Sequence, residues 1–79
     1  MIQDQLSIEE RVFLLGVYTK KDEENLRDVL LSLANTGMFT TKDGKKILKK
    51  LQKSGFIVDG ELSFKGLAEA KKAKEEFSL

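Results

Sequence analysis

Seventy-nine residues, 41% hydrophobic and 34% charged with a net charge of only +1, describe one folded domain whose single core must gather nearly every large apolar side chain. The absence of cysteine and histidine removes disulfides, thiolate metal sites, the commonest metal ligand and the commonest general base, so neither an enzyme nor a cofactor, metal or small-molecule ligand is expected. No apolar run approaches the roughly 20 residues that a bilayer helix needs; the start Met1-Ile2-Gln3-Asp4-Gln5 also lacks the basic and apolar regions of a signal peptide, so a cytoplasmic chain that does not enter a membrane is expected.

Residues 1–6 read as an N-terminal tail. Ser7 and Glu10 then stand at capping-box spacing ahead of Ile8, Val12, Phe13, Leu14 and Leu15, which predicts a buried first helix over about 8–19. Gly16 interrupts it at a cost of about 1 kcal/mol relative to alanine, implying either close packing or an early end. Asp22-Glu23-Glu24 loads negative charge where the positive end of a second helix would lie, and Leu26, Val29, Leu30, Leu33 and Ala34 recur at helical spacing, predicting a helix over about 23–35. The carboxylates Asp22, Glu23, Glu24 and Asp28 could be imagined as a metal or acid–base cluster, but complementing the helix dipole accounts for them. Asn35-Thr36-Gly37 is a stop signal.

Thr40 or Thr41 can cap a third helix, over about 41–54, with Asp43 near its start. Gly44, Ile47, Leu48 and Leu51 form its apolar seam, with Gln52 nearer the core side. The opposite face is Lys42, Lys46, Lys49 and Lys53, flanked by Lys45 and Lys50. Between Lys42 and Lys53 six lysines stand against one aspartate, a net of +5, which leaves −4 on the rest of a chain whose total is +1. Ser54-Gly55 ends the helix. Phe56-Ile57-Val58 and Glu61-Leu62-Ser63 are short β-prone arms around Asp59-Gly60, a strong hairpin signal. Ser63 caps a last helix over 63–77 through Phe64, Leu67, Ala70 and Phe77, with Lys71, Lys72, Glu75 and Glu76 outward. The aromatics Phe13, Tyr18, Phe39, Phe56, Phe64 and Phe77 are expected in the core, with Tyr18 and Phe77 the first candidates for exposure.

The fold class is therefore mainly α with a small β-hairpin, in the order of a winged-helix domain: a three-helix core, a wing and a C-terminal helix. The stretch Leu48-Lys49-Lys50-Leu51-Gln52-Lys53-Ser54-Gly55-Phe56-Ile57 resembles the passage from recognition helix into wing in winged-helix transcriptional regulators. Leu62-Ser63-Phe64-Lys65-Gly66-Leu67 resembles their passage from wing into the final helix. The resemblance implies a third helix that enters the major groove of double-stranded DNA, with Thr40, Thr41, Lys42, Lys45, Lys46 and Lys49 nearest bases and phosphates and the hairpin beside the neighbouring backbone. Two features depart from the pattern. Asp59 and Glu61 make the wing acidic, and the helix offers neither Arg nor Asn for reading bases.

A solvated helix face explains a lysine run in general. This run, however, lacks the interspersed glutamates of a merely soluble helix, and its like charges repel by a few tenths of a kcal/mol per close pair. A polyanion, through counterion release, is the compensation that such a face implies, with Lys42, Lys46, Lys49 and Lys53 on phosphates and Lys45 and Lys50 at the flanks. The function expected is that of a small transcriptional regulator or chromosome-associated accessory protein. The alternative is a winged-helix protein-interaction module whose lysines meet an acidic partner. An apolar stripe on the terminal helix, ending at Phe77, points to homodimerisation through it.

Overall fold

The computed structural model describes residues 6–77 and places along them α1 (Ile8–Thr19), α2 (Leu26–Asn35), α3 (Thr41–Lys53), β1 (Ile57–Val58), β2 (Glu61–Leu62) and α4 (Phe64–Phe77). The architecture is mainly helical with one two-stranded antiparallel hairpin.

The first two helices open on a reciprocal cap. Ser7 Oγ accepts the Glu10 N–H at 3.2 Å while the Glu10 carboxylate accepts the Ser7 N–H at 2.8 Å. Asn25 and Asp28 repeat the arrangement at 2.9 and 3.0 Å, which starts α2 at Leu26 rather than near residue 23. The reason is that Asn25 with a carboxylate three residues on satisfies two otherwise orphaned N–H groups, whereas the acidic run before it offers no such pair. Glu24 instead folds back to accept the Lys21 N–H at 2.9 Å, so the acidic run forms a turn ahead of the helix. For α3 the cap is Thr40, whose hydroxyl accepts the Asp43 N–H at 3.1 Å.

The end of α3 is a Schellman closure. Gly55 takes φ 83°, its N–H bonds Gln52 O at 3.2 Å, and the Phe56 N–H reaches back to Leu51 O at 2.9 Å. The helix thus stops at Lys53, one residue before the expected end, and Phe56 is delivered into the core. Asp59 and Gly60 both lie in the left-handed region, at φ 54° and 81°, giving a two-residue turn of the I′ kind with Val58 opposite Glu61 and Ile57 opposite Leu62. Each arm is one residue shorter than its apolar pattern. Ser63 leaves the sheet to serve α4: its hydroxyl donates to Gly55 O at 2.5 Å and accepts the Gly66 N–H at 3.1 Å.

Helix α1 occupies the middle, against α2, α3, α4 and β2. Phe13, Leu14 and Val17 meet Val29, Leu30, Leu51, Phe56, Ile57 and Ala70 there. At Gly16 close packing is the reason for the glycine, since α1 continues to Thr19 and a Cβ would lie 2.9 Å from Val29 Cγ1. On α4 the stripe Gly66, Ala70, Ala73 is buried and allows a close approach to α1 and the hairpin. Leu6 packs on the core as well, so the expected tail 1–6 is shorter by that residue; residues 1–5 of it lie outside the described ones.

Of the aromatics, Phe13 and Phe56 are buried, and Phe39 stacks on Phe13 with centroids 6.2 Å apart. Tyr18 is half-buried and Phe77 is 44% exposed. Phe64 corrects the expectation: it is 93% exposed. Gly66 must face the Phe56 carbonyl, and the residue two before it on a helix points to the opposite side. Among the described residues no helix is long and apolar enough to cross a membrane.

Candidate nucleic-acid interface

The seam of α3 is turned inward as the spacing predicts, with Gly44 and Leu51 buried and Ile47 and Leu48 half-buried. All six lysines of the helix are exposed. Gln52 is exposed too, which corrects its placement near the core: it lies beyond Leu48 on the flank that carries Thr41 and Lys45, and the seam at that end is closed by Leu51 alone. Thr40 and Thr41 are both exposed, but the Thr40 hydroxyl is already engaged as the cap.

Lys50 differs from the other five. Its ammonium lies 2.8 Å from Glu10 Oε2, and Glu10 is the buried charged residue of the core, 5% exposed. Burial alone would raise the Glu10 pKa; the Lys50 hydrogen bond, the Ser7 N–H and the Lys50 charge outweigh it and hold the carboxyl below its ordinary 4.5. Lys50 therefore clamps α3 to the start of α1 and is withdrawn from the expected set of phosphate contacts. Lys42, Lys45, Lys46, Lys49 and Lys53 make no ion pair with any carboxylate among the described residues.

The placement has an electrostatic cost. Lys42 stands second in α3, where the helix dipole is positive and a cation is disfavoured by about 0.3–1 kcal/mol, partly offset by Asp43 in the same turn. Lys50 and Lys53 occupy the favourable last turn. The hairpin that follows α3 carries Asp59 and Glu61, both exposed, and Glu61 shares a shallow cleft with Asp22 and Lys20. Charge is thus divided, cationic along α3 and mixed or acidic around the hairpin and the α1–α2 turn. Among the described residues no three acidic side chains gather as a metal site.

Sequence reasoning overlooked one cation. Arg27, in the first turn of α2, lines a groove of about 270 Å³ together with Leu30, Leu31, Thr41, Lys45 and Leu48. Its spacing of three and four residues from Leu30 and Leu31 was the signal available, since it puts all three on one side of α2.

No protein-family model, curated protein or solved structure matches this chain.

Proposed function

We propose that the protein is a winged-helix DNA-binding domain, with α3 as the recognition helix and Lys42, Lys45, Lys46, Lys49 and Lys53 as its phosphate contacts. The observation that carries the reading is the group of five exposed lysines on one helix with no carboxylate partner among the described residues. Such a face repels itself, and binding a polyanion both relieves the repulsion and releases the counterions condensed on the polyanion. The chain order agrees with the reading: α2, a five-residue connection and α3 stand where a helix-turn-helix has its two helices, and the hairpin follows as a wing. In the absence of Arg and Asn from α3, and with an acidic wing tip, affinity would come from phosphates more than from base edges. A small regulator or chromosome-associated protein of low sequence preference fits this chemistry; the homodimer expected through α4 is not part of the reading, because Ala70 and Ala73 of that helix's stripe are buried within the chain, where α4 packs on α1.

The test is a gel-shift series with duplex DNA at two salt concentrations. The wild-type chain is retained at low salt and released at high salt, while the double variant Lys46→Glu/Lys49→Glu is not retained at either, although its circular dichroism is unchanged. Equal retention of both proteins would refute the reading. Retention of neither would transfer the lysine face to an acidic protein partner.

A further inference from the structure

The groove between α2 and α3 joins an apolar floor, which phosphate binding does not use, to cations from both helices. Leu30 and Leu48 form its floor, Leu31 stands on its rim at 40% exposure, and Arg27, Lys45 and Thr41 border it. Neither the Arg27 guanidinium nor the Lys45 ammonium makes a hydrogen bond or ion pair among the described residues. Two unpaired cations from different helices thus border one apolar trough, an arrangement complementary to carboxylates carried on an apolar body.

We propose that this groove docks an acidic amphipathic helix of a partner protein, with leucine-like anchors on the leucine floor and glutamates on Arg27 and Lys45. Size favours a peptide over an enclosed small molecule. About 270 Å³ lies just below the range of roughly 300–1,000 Å³ in which pockets envelop drug-sized ligands. It accommodates one or two apolar side chains and leaves the ligand's backbone outside. Helix-in-groove recognition has this form, with one or two residues of an i, i+3, i+4, i+7 apolar stripe seated in the groove and the rest of the stripe lying along its rim. Because Lys45 is also among the proposed phosphate contacts, such a partner would compete with DNA; that consequence alone rests on the preceding proposal.

The probe is a fluorescein-labelled 14-residue peptide with leucines at i, i+3, i+4 and i+7 and glutamates at the flanking positions, followed by anisotropy against the full chain. Saturable binding is expected. Leu31→Asn removes an exposed anchor contact and weakens it about tenfold, the equivalent of part of one leucine's burial. Arg27→Glu weakens it at least as much. Since Leu31 is not among the phosphate contacts, Leu31→Asn leaves DNA retention unchanged. A control peptide with serine in place of leucine, and the same charge, does not bind. The proposal is overturned if the serine peptide binds as well as the leucine one, if either variant binds like wild type, or if decanoate displaces the peptide as readily as an unlabelled copy. The anisotropy reading does not need DNA, so a failure of the DNA proposal leaves it interpretable; in that event only the predicted competition is lost.

Discussion

Replacing Glu10 by alanine strikes a buried carboxylate that joins two elements. The substitution takes the acceptor from the Ser7 N–H, at 2.8 Å, and the partner from Lys50, also at 2.8 Å. The cap side of the loss corresponds to about 0.5–1 kcal/mol, half of a reciprocal capping arrangement. The Lys50 side contributes no more than about 1 kcal/mol, because that lysine side chain is 60% exposed and water screens the pair. With the packing of the buried side-chain stem added, the total is about 2 kcal/mol, or about 8–16 °C in melting temperature for a domain of this size. Thermal unfolding followed by circular dichroism at pH 7 measures it. A double-mutant cycle with Lys50→Met isolates the ion pair, for which about 0.5–1 kcal/mol of coupling is expected. An unshifted melting temperature for Glu10→Ala, or a coupling of zero, would refute the clamp between α1 and α3.

The same carboxylate sets a pH dependence. Its folded-state pKa is held below 4.5, so the unfolded chain binds its proton more readily; the stabilisation is complete above about pH 4.5 and is lost as pH falls through the lower folded value. Urea midpoints between pH 6 and pH 3 should fall less steeply in Glu10→Gln than in wild type, and parallel curves would contradict this. Gly66→Ala drives a Cβ into the carbonyl oxygen of Phe56, a backbone atom that cannot step aside without opening the hairpin against α4. A loss of about 3 kcal/mol or more is expected on urea denaturation, against within about 1 kcal/mol if α4 shifts freely. Phe64→Ser, at a side chain that is 93% exposed, should change stability by less than about 0.5 kcal/mol. A larger loss would mean that the ring packs against something.

Local signals with a unique physical solution were legible in the chain. Asp59-Gly60 admits a two-residue left-handed turn and little else, and Ser7 with Glu10 closes a cap whatever surrounds it. The seam of α3 follows from spacing alone. What escaped were choices between neighbouring solutions. Asn25 and the acidic run Asp22-Glu23-Glu24 both signal a helix start, and the reciprocal bonding to Asp28 decided for Asn25. Phe64 carries the hydrophobicity of a core residue, but its orientation is fixed by the space that Gly66 leaves beside Phe56, a contact between elements that no local pattern encodes. Lys50 carried the same charge as the other five lysines and shared its flanking position with Lys45. Only the position of Glu10 across the α1–α3 interface separates it. Arg27 joined the α3 face for the same reason, through a helix crossing.

The central claim is that Lys42, Lys45, Lys46, Lys49 and Lys53 of α3 meet phosphates, and the salt dependence of duplex binding tests it most directly. With four to five lysines engaged, log K for a short duplex should fall linearly with log salt at a slope of about −4, and Lys50→Met should leave that slope unchanged while Lys46→Met reduces its magnitude by about one. A slope near zero, or equal reductions from Lys46→Met and Lys50→Met, would contradict the account.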